Sequence, residues 1–431
     1  MNQFKSIPGT FDVLPRGYTS GSDVIAPVSV WRHVEEAVRR VMVRYGAEEI
    51  RTPILEPTEL IARGIGQSTD IVSKEMFAFE RGSTNYVLRP EVTAPVMRAF
   101  LQHNLAQQGG TQRLFYIGPC FRAERPQKGR YRQFHQFGLE IIGSEDARSD
   151  AETITCALDV YLELGLREFT VRINSLGDRD SRPKYKQALL DYFLPLSDQL
   201  SEVSRNRLDT NPLRILDTKN ERERELLKGA PILLDFIDDE SRQHYDSVKE
   251  HLTEVGVSFV EDPFLVRGLD YYSRTTFEIE SAVLGAQSAL AGGGRYDMLS
   301  SEVGSKKIVP AVGFAAGIER LIMALNAAGK ADVDSDCPDA FIVSVDNVAP
   351  GWIFSTAKSL RDSGLSICYD LQGRSMKAQM REANRQNARY VVIAGEEDIT
   401  SGVVQLKDMS DGSQEEVSIE LLSKTIGASQ S

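Results

Sequence analysis

Residues 265–272 read LVRGLDYY. An arginine and an aspartate flank a glycine turn, and two tyrosines follow, ahead of an apolar–polar alternation over residues 275–280. A cation and two phenols delivered at the edge of a strand make a binding arrangement rather than a core one, since such groups are rarely buried without partners. Complementary chemistry lies in residues 121–132, FRAERPQKGRYR. Guanidinium forks suit phosphate oxygens because they give bidentate, charge-assisted hydrogen bonds and stay protonated. On a strand end Arg122 would be held rigidly, whereas residues 125–130 would form a mobile tip. Further along, Phe134, Gln136 and Glu140 fall at even spacing, so they share one face of a strand. A ring, an amide and a carboxylate there form a floor for a base and an amine; the plainer reading is a surface hairpin with salt bridges.

Residues 88–93, LRPEVT, supply another carboxylate and hydroxyl in a turn before a helix. Glu91 can pair with an ammonium group, or Glu91 or Thr93 can cap that helix. Residues 291–297, AGGGRYD, resemble a phosphate-cradling loop but match neither GxxxxGK[ST] nor GxGxxG. Close packing of backbone against a neighbouring substrate explains three glycines equally well. Arg320, following Gly313, Phe314 and Gly317, reads either as a helix salt-bridge partner or as a guanidinium stacked on a base. Phosphate-gripping arginines together with receivers for an amine point to adenylation of an amino acid.

These groups need elements to hold them. Val30 or Trp31, Val34, Val38, Val41 and Tyr45 recur at helical spacing, with Gly46 placed to end the helix. Residues 49–55 should be extended, and Pro53 puts that strand at an edge or interface. Residues 113–121 and 133–142 read as two strands joined by the charged loop 122–132. A helix over 151–164 and a strand over 168–173 follow. From about 195 to 255 charged, helix-forming stretches replace the strand pattern, which suggests a mainly helical insertion. Strand signals resume at Val257. The polar stretch 331–338 reads as a linker between a domain at 1–330 and one at 339–431. In the latter, strand 340–345, helix 352–362, strand 365–369, helix 376–385 and strand 390–394 alternate as in a small α/β domain.

The 431 residues are 41% hydrophobic and 26% charged, an ordinary globular profile for two or three domains. No apolar run approaches membrane-spanning length. The first fourteen residues lack a charged-then-apolar leader and read as a mature start. Cys120, Cys156, Cys337 and Cys368 are scattered, and the five histidines form no HxxxH pair, so neither a disulfide framework nor a metal motif is expected. A reducing, cytoplasmic setting fits. A net charge of −12 argues against indiscriminate nucleic-acid binding. Two basic islands, 122–132 and 374–389, stand out against it as places for a polyanion.

Taken in order, FRAERPQKGRYRQFHQ (121–136), NPLRILDTK (211–219), LVRGLDYY (265–272), GGGRYD (292–297), GFAAGIERL (313–321) and residues 374–384 resemble the histidyl-tRNA synthetase family nearly end to end. The resemblance implies an α+β fold: a class II synthetase antiparallel sheet with flanking helices and a helical insertion, plus a C-terminal α/β anticodon-binding domain. It implies activation of L-histidine by ATP with Mg2+ and transfer to histidine tRNA. It implies that Arg122 and Arg267 flank the α-phosphate and the substrate carboxylate. Glu91, Val92, Thr93 and Gln136 would surround the α-ammonium, and Glu140 and Tyr272 would read the imidazole, with Tyr271 lining the pocket. Glu124, Arg130, Phe134 and Arg320 would meet ATP, and Arg125 and Gln127 the tRNA acceptor end. No protein metal site is implied. Pro53 matches a proline at the family's dimer interface, so a homodimer is expected. Departures are small: Ala123, Val92, and a start at Pro8-Gly9-Thr10 without the arginine many members carry. A non-aminoacylating regulatory paralogue of ATP phosphoribosyltransferase shares the fold, but usually lacks the C-terminal domain.

Overall fold

In a computed structural model, residues 4–428 are described except 21–22, 67–68, 70, 219, 267–268, 270, 334–336, 346–347 and 349. The chain forms two compact units, residues 1–333 and 334–431. The first is built on an eight-stranded sheet. In chain order its strands are β1 (Glu48–Glu49), β2 (Gln112–Phe121), β3 (Gln133–Ile142), β4 (Thr170–Ser175), β5 (Phe259–Glu261), β6 (Ser273–Glu280), β7 (Ala289–Arg295) and β8 (Ala311–Gly317). They lie side by side as β5-β4-β6-β7-β8-β3-β2-β1. The six central strands are antiparallel, and each edge strand joins in parallel.

Alternation along the strands assigns the two faces. Phe137, Leu139 and Ile141 of β3, with Phe277, Ile279 and Phe314, are buried beneath the Val28–Arg44, Ala147–Glu163 and Ile318–Ala327 helices. Burying side chains of this size contributes on the order of 1.5–3 kcal/mol each. The even-numbered residues of β3 are thereby turned to the opposite face. The first helix ends as its spacing predicts: Gly46 at φ 65° supplies the left-handed turn, and Ala47 N–H donates to Met42 C=O at 3.0 Å.

Two expectations need correction. Residues 49–55 are not one strand: β1 stops at Glu49, and pairing resumes only in Leu55–Pro57 of a separate three-stranded sheet. Pro53 has no N–H for a ladder, and the Thr52 carbonyl and hydroxyl accept instead from Arg89 at 2.9 and 2.8 Å. The triple glycine is no loop either: Gly292, Gly293 and Gly294 sit inside β7, paired to β6 and β8. A Cβ at Gly293 would stand 2.3 Å from Gly313 C=O and 2.6 Å from the Phe277 ring. Close backbone packing is therefore the reason for the run.

Arg295, which ends β7, is fully buried. It is ion-paired with Asp150 and lies 3.2 Å from Asp297, while Ser144 C=O accepts at 2.8 Å and Ser149 Oγ at 3.0 Å. His244 Nε2 is 3.2 Å from Asp150. Burial alone would raise the Asp150 carboxyl, but Arg295 and His244 against it hold it below the usual carboxylate range. Asp150→Ala breaks the fully buried ion pair and leaves Arg295 with Asp297 as its one remaining carboxylate, and urea unfolding should register a loss of about 3–5 kcal/mol.

Helical segments fill 181–254, beginning at Ser181–Phe193 and so earlier than the charged composition suggested. The second unit carries β9 (Ala340–Ser344), β10 (Ile367–Tyr369) and β11 (Tyr390–Ala394), parallel in the order β10-β9-β11, with the Pro350–Asp362 and Met376–Arg385 helices between them in sequence. An antiparallel hairpin not anticipated from sequence, β12 (Val403–Asp408) and β13 (Gln414–Ser418), extends the sheet beyond β11. Among the described residues no helix is long and apolar enough to cross a membrane.

Candidate active site

The face of the central sheet opposite the helical layer is a cleft with two chemically distinct ends. One end is cationic. Arg122 follows β2, where its backbone N–H donates to Arg132 C=O at 2.9 Å and so closes the charged hairpin onto the sheet. Its Nε donates to Pro90 C=O at 3.1 Å, and its guanidinium lies 5.2 Å from the centre of the Phe134 ring. Arg130 is 3.2 Å from Glu124. Arg320 reaches over from the Ile318–Ala327 helix, donating to Gly129 C=O at 3.3 Å and Ala289 C=O at 3.0 Å. Arg122, Glu124, Arg130, Phe134 and Arg320 all line the cleft. Burial and the neighbouring Arg130 lower the Arg320 pKa from its ordinary value.

The hairpin tip turns at Lys128-Gly129, where Gln127 and Arg130 exchange backbone hydrogen bonds and Gly129 takes φ 72°. Arg125 and Gln127 are exposed there and lie outside the cleft lining. Beyond Arg122 and Arg130 the cleft continues into a larger cavity toward the helical segments, lined also by Arg172, Arg224 and Lys228.

The other end is a buried cluster of carboxylates and phenols. Glu140 is fully buried and accepts from Thr93 Oγ1 at 2.7 Å and from the Tyr296 hydroxyl. Burial raises its pKa to about 8, against the opposing pull of the Tyr296 and Thr93 hydrogen bonds. Glu91, also buried, accepts from the backbone N–H groups of Thr93 at 2.7 Å and Ala94 at 3.0 Å, which caps the Thr93–Gln102 helix. Burial raises its pKa as well. Glu91 is thus both the helix cap and a wall of the cleft. The Tyr271 and Tyr272 rings lie 4.7 Å apart, and Tyr271 meets the edge of Tyr296 at 5.6 Å. Gln136 lines the floor between the two ends.

This cleft brings together Glu91, Thr93, Arg122, Glu124, Arg130, Phe134, Gln136, Tyr271, Tyr272 and Arg320, with Glu140 buried behind Thr93. Val92 instead points into the core at the helix start. Arg267 lies outside the described residues. Sequence reasoning missed Tyr296, whose hydroxyl donates to Glu140. It also missed Glu319, which accepts from His135 N–H at 2.9 Å and faces the cleft. Tyr296 stood within GGGRYD, but only the β3-β8-β7 order carries it to Glu140. Gly313, opposite Glu140 on β8, makes room for that carboxylate: a Cβ there would stand 1.8 Å from Glu140 Oε2 and 2.6 Å from Leu139 C=O. Gly313→Ala should lower stability in thermal unfolding by about 1–3 kcal/mol, the usual cost of overpacking, and should displace Glu140.

An antiparallel sheet of this order, with an arginine on the strand-joining hairpin and another on the helix after the last strand, defines a class II aminoacyl-tRNA synthetase domain. The histidyl-tRNA synthetase model matches residues 26–321, and an anticodon binding domain model matches 339–428. The histidine–tRNA ligase of Chloroherpeton thalassium is 48% identical over 422 residues, covering 96% of each chain. That of Halothermothrix orenii is 46% identical over 405 residues, covering 94% of this chain and 96% of the relative. The apo crystal structure of Staphylococcus aureus histidyl-tRNA synthetase superposes with a TM-score of 0.81 at 33% identity, covering 98% of this chain and all of the other. The chain belongs to the histidyl-tRNA synthetase family. A Bacillus halodurans structure described as an ATP phosphoribosyltransferase regulatory subunit/histidyl-tRNA synthetase, 21% identical with a TM-score of 0.62, shares the fold.

Proposed function

We propose that the chain is a histidine–tRNA ligase whose cleft seats ATP at its arginine end and histidine at its carboxylate–phenol end. The observation that carries this is the joining of the two ends in one cleft. A histidine carboxylate oxygen attacks the α-phosphorus, the bond to the bridging oxygen of pyrophosphate breaks, and histidyl-adenylate remains. The terminal ribose hydroxyl of the tRNA then attacks the histidyl carbonyl and AMP leaves.

Arg122 holds the α-phosphate and the carboxylate from the β2 side; Arg267 is assigned to the opposite side by family resemblance alone. Fixed guanidinium groups stabilise charge that develops at phosphorus without reorganising at the moment of reaction. Phe134 supports adenine, with Arg320 above it, while Arg130 and Glu124 meet the nucleotide. Glu91, Thr93 and Gln136 receive the ammonium, with Val92 holding the turn from behind. Glu140 and Tyr272 read the imidazole beside Tyr271. Polar readers of this kind reject amino acids that would leave them unpaired. Arg125 and Gln127, exposed on the tip, meet the acceptor end. Mg2+ is read as arriving with the triphosphate, whose oxygens are hard ligands for it.

Residues 1–330, with the helical insertion at about 195–255, form the catalytic domain; 331–338 is the linker and 339–431 the anticodon-binding domain. The enzyme works in the cytoplasm as a homodimer that covers the segment around Pro53, where Ile54 and Leu55 are exposed. Incubation with ATP, labelled histidine and unfractionated tRNA should label histidine tRNA alone. An absence of labelling by folded protein would favour the regulatory-paralogue reading.

A further inference from the structure

Gln136 is held from behind by a thiol. The β2–β3 register sets Gly118 opposite Gln136 and Cys120 opposite Phe134, so Cys120 and Gln136 are diagonal neighbours on the cleft face. Gly118 contributes no side chain, and the Arg89 guanidinium fills that space, 2.6 Å from where a Cβ would stand. Arg89 is fixed in turn by Pro119 C=O at 3.0 Å and Thr52 C=O at 2.9 Å. Cys120 is fully buried beside it, and its Sγ donates to Gln136 Oε1 at 3.3 Å. Burial pushes the thiol up to about 12, so at neutral pH the sulfur keeps the proton that makes it a donor.

An amide has one end that welcomes a cation and one that repels it. A donor placed against Gln136 selects the oxygen end and leaves the second lone pair of that oxygen for the substrate. We propose that Cys120 is a positioning residue: its thiol orients Gln136 so that the amide oxygen, not the amide nitrogen, receives the α-ammonium of histidine. The proposal rests on the reading of Gln136 as an ammonium receiver, and the experiment separates the two.

The assay is histidine-dependent pyrophosphate exchange by Cys120→Ala, Cys120→Ser, Gln136→Ala and the Cys120→Ala/Gln136→Ala double variant, each first shown to be folded by thermal melting. Cys120→Ala should raise KM for histidine by about two- to tenfold, the worth of one hydrogen bond, with kcat and KM for ATP unchanged. Cys120→Ser, which keeps a donor, should restore KM. In the Gln136→Ala background, Cys120→Ala should add nothing. Inhibition by histidinol, which keeps the ammonium, should weaken in Cys120→Ala, while inhibition by imidazolepropionate, which lacks it, should not. An equal rise in Cys120→Ser, or the same added factor in both backgrounds, overturns the positioning role. If Gln136→Ala itself leaves KM for histidine unchanged, the ammonium assignment fails first.

Discussion

Arg122→Ala lowers the rate of histidine-dependent pyrophosphate exchange by about 10²–10³-fold, the usual loss when one preorganised donor to a developing charge is removed. Its side chain is anchored by Pro90 C=O and by the Phe134 ring, so the guanidinium meets the substrate with little freedom left to lose. The loss should therefore fall on kcat more than on either KM. Arg122→Lys should recover little, because an ammonium cannot present the planar fork. Thermal melting should change little, since the residue is only partly buried and its removal strands a single carbonyl. A variant that keeps near-normal exchange would remove Arg122 from the α-phosphate.

Replacing Glu140 with alanine leaves the Thr93 and Tyr296 hydroxyls facing an unfilled space. On the order of 10–100-fold should be lost in kcat/KM for histidine, the cost of leaving a buried polar group without its partner. KM for ATP should stay put. Glu140→Gln tests the electrostatics separately. In the folded chain burial pushes the carboxyl up to about 8, whereas the ordinary value for an exposed glutamate is 4.5. Between those values the folded state binds more protons than the unfolded one, so stability falls as pH rises through that window. The contribution is fully present below the lower value and lost as pH passes the upper one. Glutamine does not titrate, so Tm of Glu140→Gln should fall less than that of the parent over the same range. Parallel profiles would mean that Glu140 is ionised in the folded protein throughout.

The hairpin 112–142 was legible because two long runs with apolar residues on alternate positions flank a charged, turn-forming tip. Its even-numbered face could be read directly from the period of a strand, and the structure places Phe134, Gln136 and Glu140 on that face. Other parts depended on tertiary neighbours. Gly292–Gly294 looks like a loop by local preference, yet the missing side chains are what let β7 pass between Phe277 and β8. The Tyr296–Glu140 bond joins the residue just after β7 to β3, far apart in the chain. The strand Gln414–Ser418 buries only Val417, so it shows no apolar period to detect. Glu91 combined two readings that seemed to compete, since one carboxylate caps a helix and lines the cleft at once.

The most direct test of the central claim is exchange of labelled pyrophosphate into ATP without tRNA, with each of the twenty amino acids supplied in turn. Exchange with histidine alone is the predicted result, and it would establish adenylation and the imidazole pocket together. No exchange by a folded protein, or exchange with another amino acid in preference to histidine, would contradict the account.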